Sequence, residues 1–229
     1  MSNNSASFET TAAAASEPGT GQWPLLDEVS GALDILYYGP AHFGTPSQTL
    51  TVDVDTGSAD IWVPANCGKC HSHQFDAAHS STFRPSNQDF SITYVGSFSF
   101  LFTSSFYFFL MKRKRAKKKG TGRVSGKVVT DVVSIAGLTV KNQGFGSVND
   151  QSDEFSRQPN DGLIGMAFGT IAQSRQPTFF ENLIKERGDK IAAPLFSVHL
   201  SRHKERGSSV RNNLLESSSW KARFFFHSD

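Results

Sequence analysis

Short β-type runs separated by turn residues are the feature that most constrains the fold of this chain. Residues 50–55 alternate apolar and polar side chains, residues 61–64 resume an apolar run after a glycine-containing turn, and residues 126–133 are rich in Val. Runs of this length predict β-strands joined by tight turns. Apolar residues at helical spacing after a proline predict one helix over residues 178–187. We therefore expect a mostly β protein with short helices.

The composition excludes several classes of protein. Hydrophobic residues make up 38% of the 229-residue chain, too few for a polytopic membrane protein, and 20 Phe residues argue against a wholly disordered chain. The formal net charge of +2 is misleading, because residues 112–119 hold seven of the 23 basic residues. The remaining 16 basic residues face 21 acidic ones, which argues against a distributed nucleic-acid-binding surface.

The two ends of the chain lack the strand pattern. Residues 1–33 are rich in Ser, Thr, Ala, Gly and Glu, which predicts an arm or the remnant of a pro-segment with no role in the core. No basic segment followed by an apolar one opens the chain, so no secretory signal peptide is visible. The tail, residues 211–229, loses the strand pattern and is expected to lie outside the lobe.

A carboxylate motif carries the chemistry. Asp55-Thr56-Gly57-Ser58 follows the predicted strand over residues 50–54. A carboxylate at a strand end beside Gly57 lies close to backbone N–H donors, and the hydroxyls of Thr56 and Ser58 could orient its oxygens and fix its proton. The tripeptide alone is common in ordinary acidic turns, so the interpretation depends on its surroundings.

Those surroundings resemble the pepsin-like aspartic endopeptidases, in particular their fungal secreted or vacuolar members. The resemblance runs from about residue 34 to about residue 210. The matching motifs, in family order, are Tyr37-Tyr38-Gly39, Gly44-Thr45-Pro46, Asp55-Thr56-Gly57-Ser58-Ala59-Asp60-Ile61-Trp62-Val63-Pro64, the small cysteine loop, Ser80-Ser81-Thr82-Phe83, Ile92-Thr93-Tyr94, Asp161-Gly162-Leu163-Ile164-Gly165 and Pro194-Leu195-Phe196-Ser197-Val198.

The resemblance implies a two-lobed fold in which each lobe, a six-stranded-type sheet or barrel, supplies one aspartate to a catalytic dyad. Asp55 then matches the first-lobe aspartate, with Gly57 allowing close approach and Ser58 bonding its outer oxygen. Tyr94 resembles the tyrosine of the flap over the cleft, and Trp62 resembles the tryptophan that supports it. The implied activity is endopeptidase cleavage at acid pH.

The flap departs from the family pattern. Its usual Tyr-Gly-Thr-Gly is split here, because residues 95–119 separate Tyr94 from Gly120-Thr121-Gly122. We interpret the insertion as the translation of a retained in-frame intron, since Val codons begin GT, one Lys codon ends AG, and the six Phe residues fit pyrimidine-rich text.

The same insertion allows two other interpretations. Residues 95–111 are largely apolar and precede a basic flank, as in a short membrane helix. Residues 112–119 match a nuclear-localisation or nucleic-acid-binding run. Either would interrupt a β-hairpin, so we expect neither a membrane nor a nucleic acid as a partner.

The only two cysteines support two interpretations. Cys67-Gly68-Lys69-Cys70-His71 matches the c-type haem attachment pattern. The resemblance instead implies a small Cys67–Cys70 disulfide at this place after Asp55. We therefore predict a disulfide, with no cofactor and no metal.

Asp55 belongs to the only Asp-Thr/Ser-Gly motif in the chain. The expectation is an aspartic endopeptidase of secreted or vacuolar location, acting on polypeptides, of which this chain is a truncated part without the second aspartate. The alternative is a catalytically inactive single lobe that binds peptides or pairs with a second copy of itself; the homodimer is the less favoured form.

Overall fold

The structure, a computed structural model, describes residues 21–30, 33–94, 122–187, 194–200 and 222–226. These residues form ten strands and two short α-helices, which confirms the expected mostly β fold. The strands are β1 (Gly21–Ser30), β2 (Leu33–Phe43), β3 (Gln48–Asp55), β4 (Ile61–Pro64), β5 (Arg84–Tyr94), β6 (Gly122–Ile135), β7 (Leu138–Gln151), β8 (Gly162–Gly165), β9 (Phe196–Leu200) and β10 (Ala222–Phe226). The helices are α1 (Asp153–Ser156) and α2 (Phe179–Arg187).

The ten strands form one mixed sheet in the order β5-β6-β7-β4-β8-β3-β2-β1-β10-β9. A further pairing of β2 with β6, at His42–Ser134 and Phe43–Val133, joins two strands that are distant in this order. This pairing closes β6, β7, β4, β8, β3 and β2 into a ring. The ring corresponds to the six-stranded sheet or barrel expected from the sequence.

Apolar side chains that alternate with polar ones along the strands fill the core. On β3, Leu50 and Val52 are buried, whereas Thr51 and Asp53 between and after them remain partly exposed. The main apolar cluster takes such buried side chains from most strands of the ring. Because successive side chains of a strand point to opposite faces, the buried set also fixes which residues face away from it. Asp53 and Asp55 therefore share the face opposite to Val52.

The position of β1 shows that one prediction is wrong. The sequence predicts no core role for residues 1–33. In the structure β1 pairs with β2, and Trp23 and Leu25 are buried in the main apolar cluster, where they are 1% and 0% exposed. The Trp23 indole N–H also donates to the Pro40 carbonyl at 2.8 Å. The sequence signal was weak because only two large apolar residues alternate around Pro24. The stability of this strand comes from contacts with distant residues.

The end of the chain also contains strands. β9 pairs with β10 from Phe196–Phe226 to Leu200–Ala222, and β10 pairs with β1. The expectation that the tail lacks strand structure is therefore wrong for residues 222–226.

The predicted helix is confirmed as α2. Thr178 precedes it, and the Thr178 hydroxyl accepts a hydrogen bond from the Glu181 N–H at 3.2 Å while the Glu181 carboxylate accepts one from the Thr178 N–H at 3.0 Å. This reciprocal pair is a capping box, which satisfies N–H groups that the first turn cannot bond internally. The sequence Thr-x-x-Glu therefore determines where the helix begins.

The β5–β6 hairpin keeps its register on both sides of the predicted insertion. Tyr94 pairs with Gly122, Ile92 with Val124 and Phe90 with Gly126. Residues 95–121, which include the membrane-helix and basic-run alternatives, lie outside the described residues. No helix in the described part of the chain is long and apolar enough to cross a membrane.

Candidate active site

Asp55 lies at the last position of β3, where two neighbouring strands fix its backbone. β3 runs parallel to β8, with Asp55 opposite Gly165. The Met166 N–H donates to the Asp55 carbonyl at 2.8 Å, and the Ala167 N–H donates to the Ser58 carbonyl at 2.9 Å. The Asp55 turn is therefore held from its backbone by the residues that follow β8.

The carboxylate of Asp55 accepts a hydrogen bond from the Gly57 N–H at 2.8 Å. A Cβ atom at position 57 would lie 3.1 Å from the same carboxylate oxygen, so glycine allows this close approach. Thr56 is exposed. The Ser58 hydroxyl is buried but makes no hydrogen bond to Asp55, so its predicted bond to the outer oxygen is not formed in this structure.

Asp60 anchors the loop that follows the motif. It is 3% exposed, and its carboxylate accepts hydrogen bonds from the backbone N–H groups of Gln173 and Ser174 at 2.8 and 2.9 Å. Its carbonyl accepts from the Gly165 N–H at 2.8 Å. These three bonds tie the loop to β8 and to the segment before α2, so the motif is rigidly placed. The sequence pattern alone does not indicate this role of Asp60.

Trp62 and Tyr94 meet next to this turn. The Trp62 indole N–H donates to the Tyr94 hydroxyl at 2.9 Å. The ring of Phe155, from α1, packs edge-on against both, with centroid distances of 5.0 and 5.3 Å. A Cβ atom at Gly122 would collide with Phe155. Sequence reasoning missed Phe155, because α1 is too short to give a periodic signal.

The environment of Tyr94 keeps its hydroxyl protonated. Burial raises the pKa of Tyr94, the negative charges of Asp60 and Asp55 raise it further, and the hydrogen bond from Trp62 opposes the shift. Of the predicted flap residues, Tyr94 and Gly122 face each other across the hairpin. Gly120 and Thr121 lie outside the described residues.

Asp53 is a second carboxylate on the same face of β3 as Asp55. Burial raises the pKa of Asp53 to about 7, and the negative charge of Asp55 raises it as well. Asp53 pairs with Tyr38 on β2 and with Leu163 on β8. Leu163 is 4% exposed and belongs to the apolar cluster that contains Trp62. The sequence pattern alone does not indicate a special role for Asp53.

Asp161 connects β3 to the loop after the cysteines. Its carboxylate accepts hydrogen bonds from the N–H and hydroxyl of Thr51, at 2.8 and 2.9 Å, and from the His73 N–H at 2.8 Å. It is 5% exposed. A buried carboxylate that accepts three hydrogen bonds stabilises the segments that carry the donor groups.

Cys67 and Cys70 form a disulfide with a Cα–Cα distance of 5.3 Å. Both sulfurs are therefore bonded to each other rather than available for attachment of a haem. Within the described residues, no group of three or more His, Cys, Asp or Glu side chains is arranged to hold a metal ion.

A six-stranded ring that presents Asp-Thr-Gly at a strand end, beside a bonded tryptophan and tyrosine, defines the lobe of an aspartic peptidase. The sequence matches the model of the eukaryotic aspartyl protease family over residues 36–101 and 110–225, and the chain belongs to this family. The match leaves out residues 102–109, which lie inside the segment predicted as an insertion. It also continues past residue 210, where the sequence analysis ended the lobe.

Several curated proteins are similar to this chain. Pepsin A of Gallus gallus is 32% identical over 189 residues, which cover 80% of this chain and 44% of that protein. Cathepsin E of Rattus norvegicus is 33% identical over 181 residues, or 77% and 39%. Pepsin A of Sus scrofa is 34% identical over 191 residues, or 81% and 43%. The chain thus spans less than half the length of these relatives.

Proposed function

We propose that this chain supplies one lobe of an aspartic endopeptidase that cleaves polypeptides at acid pH. The observation that supports this most directly is the position of Asp55, at a strand end with the Gly57 N–H on one carboxylate oxygen and the Trp62–Tyr94 pair nearby. Family membership supports it independently. Cleavage between bulky apolar side chains, a secreted or vacuolar location and membership of the fungal type of the family follow from the resemblance and are part of the proposal.

The reaction requires a second carboxylate. In the proposed mechanism an ionised carboxylate takes a proton from a water molecule, whose oxygen attacks the peptide carbonyl carbon, while a protonated carboxyl group donates to the carbonyl oxygen. Two close carboxylates share one proton because both cannot ionise together. Asp55 is in the one Asp-Thr/Ser-Gly of this sequence, so the partner aspartate has to come from a second lobe.

We also propose the domain limits. Residues 34–94 and 120–210 form the lobe, residues 1–33 precede it, and residues 211–229 follow it, although β1 packs on the lobe and β10 extends its sheet. Residues 95–119 are a retained-intron insertion in the flap. The Tyr94–Gly122 pairing supports this, and the family match leaves out residues 102–109 inside the segment. Sequencing of the message across codons 94–120 tests it, because persistence of the 75 nucleotides in the dominant transcript would reject it.

The alternative is a non-catalytic lobe, which the presence of a single Asp-Thr/Ser-Gly motif favours. One experiment distinguishes the two proposed functions. The purified 229-residue chain and a gene product extended through a downstream second lobe are incubated with a denatured protein at acid pH, each with its Asp55→Asn variant as control. We expect cleavage by the extended product, abolished in the variant, and none by the short chain. Asp55-dependent cleavage by the short chain, rising with the square of its concentration, would instead indicate a homodimer. No cleavage by either product would reject the endopeptidase function.

A further inference from the structure

Phe168 and Ile171 form an exposed apolar patch, which we call the 168–171 patch. Their side chains are 84% and 52% exposed. Both residues belong to one turn, because the Ile171 N–H donates to the Phe168 carbonyl at 3.2 Å. A scattered apolar residue is ordinary on a protein surface, but an aromatic side chain that lies almost wholly in water leaves a large apolar area for a partner to cover.

Two backbone hydrogen bonds fix the patch close to the catalytic motif. The Met166 N–H donates to the Asp55 carbonyl at 2.8 Å, and the Ala167 N–H donates to the Ser58 carbonyl at 2.9 Å. Phe168 is the next residue along the chain. One hydrogen bond and two residues of chain keep the Cα atom of Phe168 within roughly 14 Å of the Cα atom of Asp55. The patch therefore begins beside the turn that carries the candidate catalytic carboxylate.

The backbone of the patch is held in place although its side chains are in solvent. The Gly169 N–H donates to the Glu181 carboxylate of α2 at 3.0 Å. Shortly after the turn, the N–H groups of Gln173 and Ser174 donate to the buried carboxylate of Asp60. A surface that is already fixed in its geometry loses less conformational entropy when a partner covers it. The patch is thus preorganised for docking.

We propose that the 168–171 patch is the surface on which a second lobe docks when it brings the second aspartate to Asp55. The shared proton requires oxygens of the two carboxyl groups to lie within hydrogen-bond distance, roughly 3 Å. A stable protein interface covers about 800 Å² on each side, which corresponds to a disc of roughly 16 Å in radius. A disc of this size around Asp55 reaches the patch. The identity of the occupant rests on the proposed function, because that function requires the second aspartate.

The occupant is a second lobe of a longer product rather than a second copy of this chain. The chain spans less than half the length of its relatives, so each relative has enough further chain for another lobe of this size. A second lobe has a surface of its own that can complement the patch. A two-fold pair would instead have to place the same apolar side chains symmetrically around the two copies of Asp55.

Thiol labelling at the patch tests this in a short and an extended product. Phe168→Cys introduces a thiol at an exposed position, and the two natural cysteines are bonded to each other. The 229-residue chain and a product extended through a second lobe are treated with a maleimide under non-reducing conditions, and labelling at position 168 is followed by mass spectrometry. We expect labelling to be roughly tenfold slower or more in the extended product, because a covered thiol reacts only when the interface opens. Ile171→Cys probes the other end of the turn and should be slowed as well.

Asp89→Cys is the matched control. Asp89 is exposed on β5, where it pairs with Lys127, and a thiol there should react at the same rate in both products. Equal labelling of Phe168→Cys and Ile171→Cys in the two products would overturn the proposal. Slow labelling of the short chain would overturn it too: a rate that falls with concentration would assign the patch to a second copy, and a slow rate at every concentration would assign it to a segment of the chain itself.

Cleavage of a denatured protein by the extended wild-type product is measured separately, so that the two proposals can fail independently. Cleavage together with an unprotected position 168 would reject the docking surface and leave the proposed function standing. Protection of position 168 without cleavage would reject the endopeptidase function and leave the docking surface standing.

Discussion

The indole N–H of Trp62 donates a hydrogen bond of 2.9 Å to the hydroxyl of Tyr94, joining two residues 32 positions apart in the sequence. Trp62 is 1% exposed on β4, and Tyr94 is the last residue of β5. Phe155 packs against both rings. This contact fixes the Tyr94–Gly122 end of the β5–β6 hairpin against β4, the strand that follows the Asp55 turn.

A double-mutant cycle measures this contact. Trp62→Phe and Tyr94→Phe each remove one partner, and each should destabilise the lobe by about 1 to 2 kcal/mol in urea unfolding, because a buried polar atom loses its partner. The coupling energy between the two changes should be about 0.5 to 1.5 kcal/mol. Additive single effects would show that the hydrogen bond contributes nothing to the free energy of unfolding.

Replacement of Asp161 tests the anchor between β3 and the loop after the cysteines. Asp161→Ala leaves the Thr51 and His73 N–H groups without their acceptor, so we expect a loss of about 3 kcal/mol or more in the free energy of unfolding. Asp150→Asn is the matched control, because Asp150 forms ion pairs at the surface with Lys69 and Arg123; it should change stability by less than about 1 kcal/mol. Equal effects of the two variants in chemical denaturation would contradict this role of Asp161.

Much of the fold follows from local sequence patterns, but the packing around the site does not. The strand over residues 50–55 and the helix after Pro177 show their periodicity and capping residues within a few positions. β1 has no comparable signal, since Trp23 and Leu25 are buried by residues far along the chain. Asp55 could be found because its motif is contiguous. Asp53 could not, because its burial depends on β2 and β8.

Gly165 packs closely against the backbone of the loop that follows Asp55, which predicts that a larger residue at this position destabilises the lobe. A Cβ atom there would lie 2.5 Å from the Ser58 carbonyl oxygen and 2.6 Å from the Ala59 Cα. Both are backbone atoms, so Gly165→Ala has to displace the loop that carries the motif, and we expect a loss of about 1 to 3 kcal/mol in thermal or urea unfolding. Gly68→Ala is the control, because no heavy atom lies within 4 Å of its added Cβ. A Gly165→Ala variant as stable as Gly68→Ala would contradict the proximity of these backbones.

The raised pKa of Asp53 predicts a characteristic pH dependence of stability. In the unfolded chain Asp53 loses its proton near 3.8, whereas in the folded lobe it keeps the proton until about pH 7. Between these values the folded state binds more protons, so the Asp53 contribution to stability is present below pH 3.8 and is lost as the pH rises to about 7, with a slope of at most about 1.4 kcal/mol per pH unit. In Asp53→Asn the group does not titrate, and this part of the decline in the free energy of unfolding should vanish.

Urea unfolding at a series of pH values from 4 to 8 measures the difference between the two proteins. The Asp89→Asn variant controls for the general effect of removing one carboxylate. A constant difference between wild type and Asp53→Asn across this range would show that Asp53 is not held in its protonated form by the fold.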